Sequence, residues 1–286
     1  MIKKIPTGVQ FFDETYGGMY PGRSLMVTAR HGGGKTVMGI QFIAQGLRDK
    51  ERCLLLSARP AEDVALKASA FGIPVVEAIE AGEFIILEYK EYVPGRDRED
   101  ELKLPKDSFL QLKHIIEDQQ IKRLVLDTVL PWVALDDESR LAEHIFSFIR
   151  VFQRIGVTSL LTMPKPASPP AHKLRKLIED VVPVSLTLDQ DANNGPRTLV
   201  VDKYLGATRG PKSMPFVIEP DIGMVDPATA ARKAAGAKGI SNAPTPTEKK
   251  GFAGVLLGAK KNDTGSSPPP PRKPPQINFR DAVKGR

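Results

Sequence analysis

Ala29-Arg30-His31-Gly32-Gly33-Gly34-Lys35-Thr36 decides how the rest of this chain is read. It fits the phosphate-loop pattern G-x-x-x-x-G-K-[ST] everywhere except the first position, where alanine stands for glycine. Gly32, Gly33 and Gly34 let the backbone curl so that successive N–H groups converge on an anion. Lys35 supplies a point charge for the β- and γ-phosphates, and Thr36 a hydroxyl for Mg²⁺. The mechanism also demands a strand before the loop and a helix after it, so that the helix N-terminus faces the phosphate. Ser24–Thr28 is a short apolar run, and Lys35–Leu47 places Val37, Ile40, Ile43 and Leu47 at helical spacing. His31 lies within the loop and is read as decorating the turn.

Outward from the loop, strand-like and helix-like segments alternate. Strands are expected at Cys53–Ser57, Phe84–Glu88, Leu124–Leu126 and Val157–Thr162. Helices are expected near Glu62–Ala70, Phe109–Gln119, Leu141–Arg154 and Ala171–Glu179. Short apolar runs separated by helices predict a mainly parallel sheet covered on both faces. After residue 183 the pattern changes. Val184–Leu188 and Thr198–Val201 flank a turn-rich stretch and read as an antiparallel hairpin, with Met214–Ile218 a further strand. The fold class is α/β, with an antiparallel C-terminal extension.

The chain has 286 residues and a net charge of +7, unevenly placed. Residues 228–286 hold 12 Lys/Arg against 3 Asp/Glu, a balance of +9, whereas residues 1–227 hold 29 against 31, a balance of −2. The tail is rich in Ala, Gly, Lys and Pro, including Pro268–Pro271, and its composition predicts disorder. Two domains are therefore expected: 1–227, which binds nucleotide, and 228–286, a basic Pro-rich tail. Phe252–Leu257 and Ile277–Phe279 are apolar islands that suit protein docking. A basic tail also suits nucleic acid, but it offers only Phe252 and Phe279 for base stacking. One cysteine, Cys53, allows no intramolecular disulfide, and no apolar run nears the roughly 20 residues of a membrane span. A cytoplasmic protein with no membrane partner is expected.

A Mg²⁺ site needs a carboxylate at the end of a neighbouring strand. Arg123-Leu124-Val125-Leu126-Asp127 supplies Asp127. The histidines His114, His144 and His172 show no metal spacing, and Trp132 reads as packing over the end of the sheet.

The segment Ile5-Pro6-Thr7-Gly8-Val9-Gln10-Phe11-Phe12-Asp13-Glu14, with Gly17-Gly18 and Pro21-Gly22, resembles the opening signature of KaiC-like ATPases of the RecA superfamily. The resemblance continues through the phosphate loop, Gln41-Phe42, Ala70-Phe71-Gly72, Asp127 and Gly156-Val157-Thr158 to near Met224. It implies a RecA-like P-loop fold, ATP and Mg²⁺ as ligands, and a homo-oligomer with nucleotide near subunit interfaces. It also exposes departures. Family members carry a Glu pair after the second strand, one of which activates water. The matching stretch here is Leu56-Ser57-Ala58-Arg59-Pro60. Neither Ala58 nor Arg59 can serve as a general base near neutral pH. A family stretch resembling Lys-x-Arg-Gly-Thr reaches a neighbouring γ-phosphate. Here it reads Lys203-Tyr204-Leu205-Gly206-Ala207-Thr208-Arg209-Gly210, with Leu205 where the arginine belongs.

Expected, then, is an ATP-binding regulatory protein with slow or absent hydrolysis, whose tail contacts a protein partner. A DNA-associated recombination accessory ATPase and a pseudo-ATPase scaffold are the alternatives.

Overall fold

The computed structural model describes residues 3–89, 108–133, 139–190, 196–206 and 211–237. In chain order the elements begin α1 (Gln10–Tyr16), β1 (Ser24–Ala29), α2 (Lys35–Arg48), β2 (Cys53–Ser57), α3 (Ala61–Ser69), α4 (Val75–Glu80) and β3 (Phe84–Glu88). They continue with α5 (Ser108–Asp118), β4 (Arg123–Asp127), α6 (Leu130–Val133), α7 (Leu141–Ile155), β5 (Thr158–Pro164) and α8 (Pro169–Val181). Then come β6 (Val184–Gln190), β7 (Arg197–Tyr204), β8 (Ser213–Glu219), β9 (Gly223–Val225) and α9 (Pro227–Ala237).

The strands form one sheet in the order β3-β2-β4-β5-β1-β6-β7-β8-β9. From β3 to β6 every pairing is parallel, and from β6 onward every pairing is antiparallel. This is the α/β architecture expected from the alternating runs, including the antiparallel extension. β1 lies between β5 and β6, and all six of its residues are buried, which is why its sequence shows no apolar–charged alternation: Leu25, Met26 and Val27 run together between the small buried Ser24 and Thr28. On one face, Leu124 and Leu126 of β4 join Leu54, Leu56, Leu161 and Met163 in a core closed by Leu112, Ile116, Ile145, Phe148 and Phe152 of α5 and α7. Val125 points the other way, onto α2, where a Cβ on Gly39 would come within 3.0 Å of it.

At the start of β4 the wholly buried Arg123 ties three segments together. Its Nε donates to Glu51 Oε2 at 2.5 Å, Nη2 to Asp49 Oδ2 at 2.8 Å and Nη1 to the Pro6 carbonyl at 2.8 Å. Its guanidinium lies 4.8 Å from the centre of the Phe42 ring. Gly46 leaves room for it, since a Cβ there would sit 2.6 Å from Arg123 Cδ and 2.5 Å from Cys53 Sγ. Burial pushes the Cys53 thiol up to about 12, so it is an inert core group, as its apolar run suggested.

Several elements escaped the sequence reading. The opening signature contains α1, and its polar residues brace the turn before it. The Asp13 carboxylate accepts from Thr7 N–H at 2.9 Å, Thr7 Oγ1 at 2.7 Å and Gly8 N–H at 2.9 Å. Gln41 of α2 grips β9 in the same structural manner. Its Oε1 accepts from Met224 N–H at 2.9 Å and its Nε2 donates to the Met224 carbonyl at 3.1 Å. Regular structure also runs past residue 227 into α9. Pro227 starts that helix, Asp226 Oδ1 accepts from Thr229 N–H at 2.9 Å as a cap, and alanines fill its body.

The chain divides into two compact units, Met1–Arg232 and Lys233–Arg286. The proline run and both apolar islands of the tail lie outside the described residues. Among the described residues, no helix is long and apolar enough to cross a membrane.

Candidate functional site

The parallel strands β1, β2, β4 and β5 bring their C-terminal ends to one edge of the sheet, the edge where ligands bind in open α/β folds. The glycine loop leaves β1 at Ala29 and enters α2 at Lys35. Within it, Gly33 N–H donates to the Arg30 carbonyl at 3.1 Å, and Lys165 N–H of the neighbouring β5 connection donates to the Ala29 carbonyl at 2.8 Å. Gly34 precedes the helix with φ +105°, and a Cβ there would press to 3.2 Å from Ile218 Cδ1 and 3.3 Å from Met224 Cε. Glycine is therefore required at 34 both by its backbone and by its surroundings. The alanine at the first motif position is also explained. Its buried Cβ lies 2.8 Å from where a Cβ on residue 33 would sit, so the methyl of Ala29 fits because Gly33 has none. No side chain caps the N-terminus of α2 and no acid lies in its first turn, which leaves its N–H groups and dipole directed at the loop.

Lys35 is half-buried. Its Nζ donates to the carbonyls of Ala29 at 2.9 Å and Arg30 at 3.0 Å, which holds the ammonium across the mouth of its own loop. Burial lowers its pKa; the Asp127 charge opposes this and the Arg59 charge adds to it. Thr36 Oγ1 donates to Asp127 Oδ2 at 2.8 Å, so the two candidate Mg²⁺ ligands, far apart in sequence, are in direct contact. A hydroxyl and a carboxylate side by side form a hard-oxygen pair, the donor chemistry Mg²⁺ takes. Among the described residues no three His, Cys, Asp or Glu side chains gather into a metal cluster.

Asp127 has supports that the sequence did not reveal. Thr162 Oγ1 of β5 donates to its Oδ1 at 2.7 Å, which fixes the carboxylate plane. The Asp127–Thr128 peptide is cis. Thr128 N–H donates to Tyr89 Oη at 2.7 Å, and Thr128 Oγ1 donates to the Thr162 carbonyl at 2.8 Å. Thr162 becomes visible as a partner only once β4 and β5 are known to be neighbours.

The end of β2 lies beside Asp127, because Ser57 and Asp127 are register partners. Ser57 Oγ accepts from Arg59 N–H at 3.0 Å. Ala58 packs against the core, Arg59 is exposed, and Glu62 and Asp63 sit in the first turn of α3. Lys67, also on α3, was not anticipated. Its pKa is lowered by burial and then by the Arg59 charge, with the Asp127 charge opposing. The other register partner of Ser57 is Glu88, at the end of β3, so the β2 edge carries both signs of charge.

Other candidates fall away from this edge. Lys203 Nζ donates to the carbonyls of Glu179 at 2.6 Å and Asp180 at 3.1 Å, capping the C-terminus of α8. Arg209 lies outside the described residues. Trp132 is buried against Tyr89 and Phe148, and His144 Nε2 lies 3.0 Å from the Trp132 carbonyl, a packing arrangement.

Comparison with known proteins fits this geometry. A family model described as ATPase: KaiC matches residues 5–229. The chain is 25% identical over 224 residues to a circadian clock oscillator protein KaiC of Parasynechococcus marenigrum (strain WH8102), covering 76% of this chain and 43% of that protein. It is 26% identical over 224 residues to the circadian clock protein KaiC2 of Synechocystis sp. (strain ATCC 27184 / PCC 6803 / Kazusa), covering 76% and 39%. It is also 26% identical over 227 residues to a KaiC of Prochlorococcus marinus subsp. pastoris (strain CCMP1986 / NIES-2087 / MED4), covering 77% and 44%. The chain therefore spans less than half the length of the curated relatives it matches. With a RecA-like sheet, a glycine loop at its C-terminal edge and a family match over residues 5–229, the chain belongs to the KaiC family of RecA-superfamily ATPases, a nucleotide-binding family.

Proposed function

We propose that this chain is a regulatory ATP-binding protein that holds its nucleotide largely uncleaved. In this reading Gly32, Gly33 and Gly34 cradle the phosphates, Lys35 neutralises the β- and γ-phosphates, and Thr36 and Asp127 hold Mg²⁺. Bound there, Mg²⁺ supplies charge neutralisation at the phosphate oxygens. The observation that carries the reading is the pairing of Thr36 with Asp127 at 2.8 Å beside a β2 end that presents Ala58 and Arg59 rather than carboxylates. Binding needs the first arrangement. Hydrolysis needs a base to orient and deprotonate water, and the residue types at 58 and 59 do not supply one.

A triphosphate that is held and not consumed reports nucleotide level, and assembly is the readout that the resemblance suggests. Gel filtration of the full chain after incubation with ATP and Mg²⁺ tests both parts. The expected result is elution as a larger species than the nucleotide-free chain, with ATP, not ADP, recovered from the protein peak. Recovery of ADP would overturn the claim of retention, and unchanged elution would overturn the claim about assembly.

A further inference from the structure

Thr162 sits between Leu161 and Met163 in β5 and is wholly buried. A hydroxyl placed there must find its partner inside the protein. Leu126 of β4 and Leu161 of β5 are register partners on the face packed by α5 and α7. The next residues along, Asp127 and Thr162, therefore turn to the opposite face, where α2 begins. There Thr162 Oγ1 donates to Asp127 Oδ1 at 2.7 Å, while Thr36 Oγ1 donates to Asp127 Oδ2 at 2.8 Å. Each carboxylate oxygen has its own hydroxyl, one from β5 and one from α2. The Thr162 carbonyl secures the chain just beyond Asp127, accepting from Val129 N–H at 2.9 Å and Thr128 Oγ1 at 2.8 Å. Asp127 has no second acid beside it. Glu88, at the end of β3, is aligned with it through Ser57 and lies two strand spacings away, about 10 Å.

We infer that Thr162 is a positioning residue for the cation: by holding Asp127 Oδ1 it leaves Oδ2 alone to bind, and so makes the site select Mg²⁺ over Ca²⁺. The inference rests on the nucleotide site proposed above and names what sets its metal specificity. Ca²⁺ gathers roughly six to eight oxygens and gains when a carboxylate offers both of its own. Mg²⁺ is smaller and keeps several waters, so one carboxylate oxygen beside a hydroxyl and the phosphate oxygens suits it. Rotating Asp127 to present both oxygens breaks the bond from Thr162 and strands a buried hydroxyl, which is costly. The fold therefore resists the arrangement that favours Ca²⁺. Partners that orient a metal-binding carboxylate commonly control metal affinity by about 10- to 100-fold.

The test is a titration of the full chain with a non-hydrolysable ATP analogue in Mg²⁺, in Ca²⁺ and in EDTA. The unmodified chain is expected to bind the analogue at least about tenfold more tightly with Mg²⁺ than with Ca²⁺. Thr162→Val keeps the side-chain shape and removes the donor. It is expected to lose about tenfold or more in Mg²⁺, to bring the two metals within about threefold of each other, and to change binding in EDTA by less than about twofold. Thr162→Ser, which restores the hydroxyl, is expected to recover most of the preference, and circular dichroism of each variant confirms that the fold is retained. Equal binding of the unmodified chain in the two metals would overturn the inference without any variant. So would an unchanged preference in Thr162→Val, an equal loss in all three conditions, or no recovery in Thr162→Ser. Lys35→Ala separates the two levels. If it weakens the analogue in every condition while Thr162→Val changes nothing, the nucleotide site stands and the positioning role fails. If Lys35→Ala also changes nothing, the nucleotide site itself is wrong.

Discussion

Replacing Lys35 with alanine is expected to weaken ATP binding at least about a hundredfold while leaving the fold intact. A charge-assisted hydrogen bond to phosphate contributes roughly 1.5–3 kcal/mol, and an ammonium bridging two phosphates makes at least two of them. Each 1.4 kcal/mol or so is tenfold in affinity. Little stability should be lost. Lys35 donates to the Ala29 and Arg30 carbonyls, at least one of them at an exposed position where water replaces it. Burial already disfavours its charged form, so removing that charge relieves a small cost. The melting temperature is therefore expected to move by no more than about 4 °C. Isothermal titration with ATP and Mg²⁺, paired with a thermal melt, checks both statements. Loss of binding accompanied by a collapse in stability would mean that Lys35 acts through the fold.

Arg123→Met should behave in the opposite way, with a large loss of stability and little change at the nucleotide site. Arg123 is wholly buried, and its partners Asp49 and Glu51 keep 36% and 29% side-chain exposure. Breaking a buried pair by removing one partner costs about 3–5 kcal/mol. Here the stranded carboxylates are close enough to water to rehydrate, which places the loss near the lower end, about 3 kcal/mol. The Pro6 carbonyl also loses its donor. Arg123 and Asp127 occupy opposite ends of β4, about 13 Å apart at the usual rise per strand residue. ATP affinity of the folded fraction should therefore stay within about twofold, a change below about 0.5 kcal/mol. Urea denaturation gives the stability. A loss below about 1 kcal/mol would show that the Arg123 network contributes mainly to specificity of the fold.

The part of the site that is local in sequence was readable from the residues alone. Residues 29–36 carry the whole phosphate loop, and the apolar runs around them identify β1 and α2 because those elements are buried enough to leave an unbroken pattern. Asp127 was legible for the same reason, as the polar end of the three-residue apolar run Leu124–Leu126. What stayed hidden depends on strand order. Thr162 meets Asp127 because β5 lies beside β4, and no spacing in the chain states that adjacency. The charge of Lys67 is felt with that of Asp127 only once the chain is folded, whereas in sequence it is one lysine on an amphipathic helix. The three-residue β9 pairs with β8 and is gripped by Gln41, too short and too non-local for periodicity to register. α1 was read as a signature, not a helix, because its seven residues carry no side-chain cap. α9 lay in a stretch judged by composition, where Pro and Gly further along masked an alanine-rich start with a good cap.

Whether the bound triphosphate survives is the central claim, and a single-turnover measurement reaches it most directly. The full chain, in excess over γ-labelled ATP with Mg²⁺, is quenched at intervals and the released phosphate is counted. The predicted result is a fully bound label whose cleavage rate lies orders of magnitude below the ordinary enzymatic range of about 1 to 10³ per second. Complete cleavage at about 1 per second or faster would contradict the account, because it would require a water-activating group that Ala58 and Arg59 do not provide.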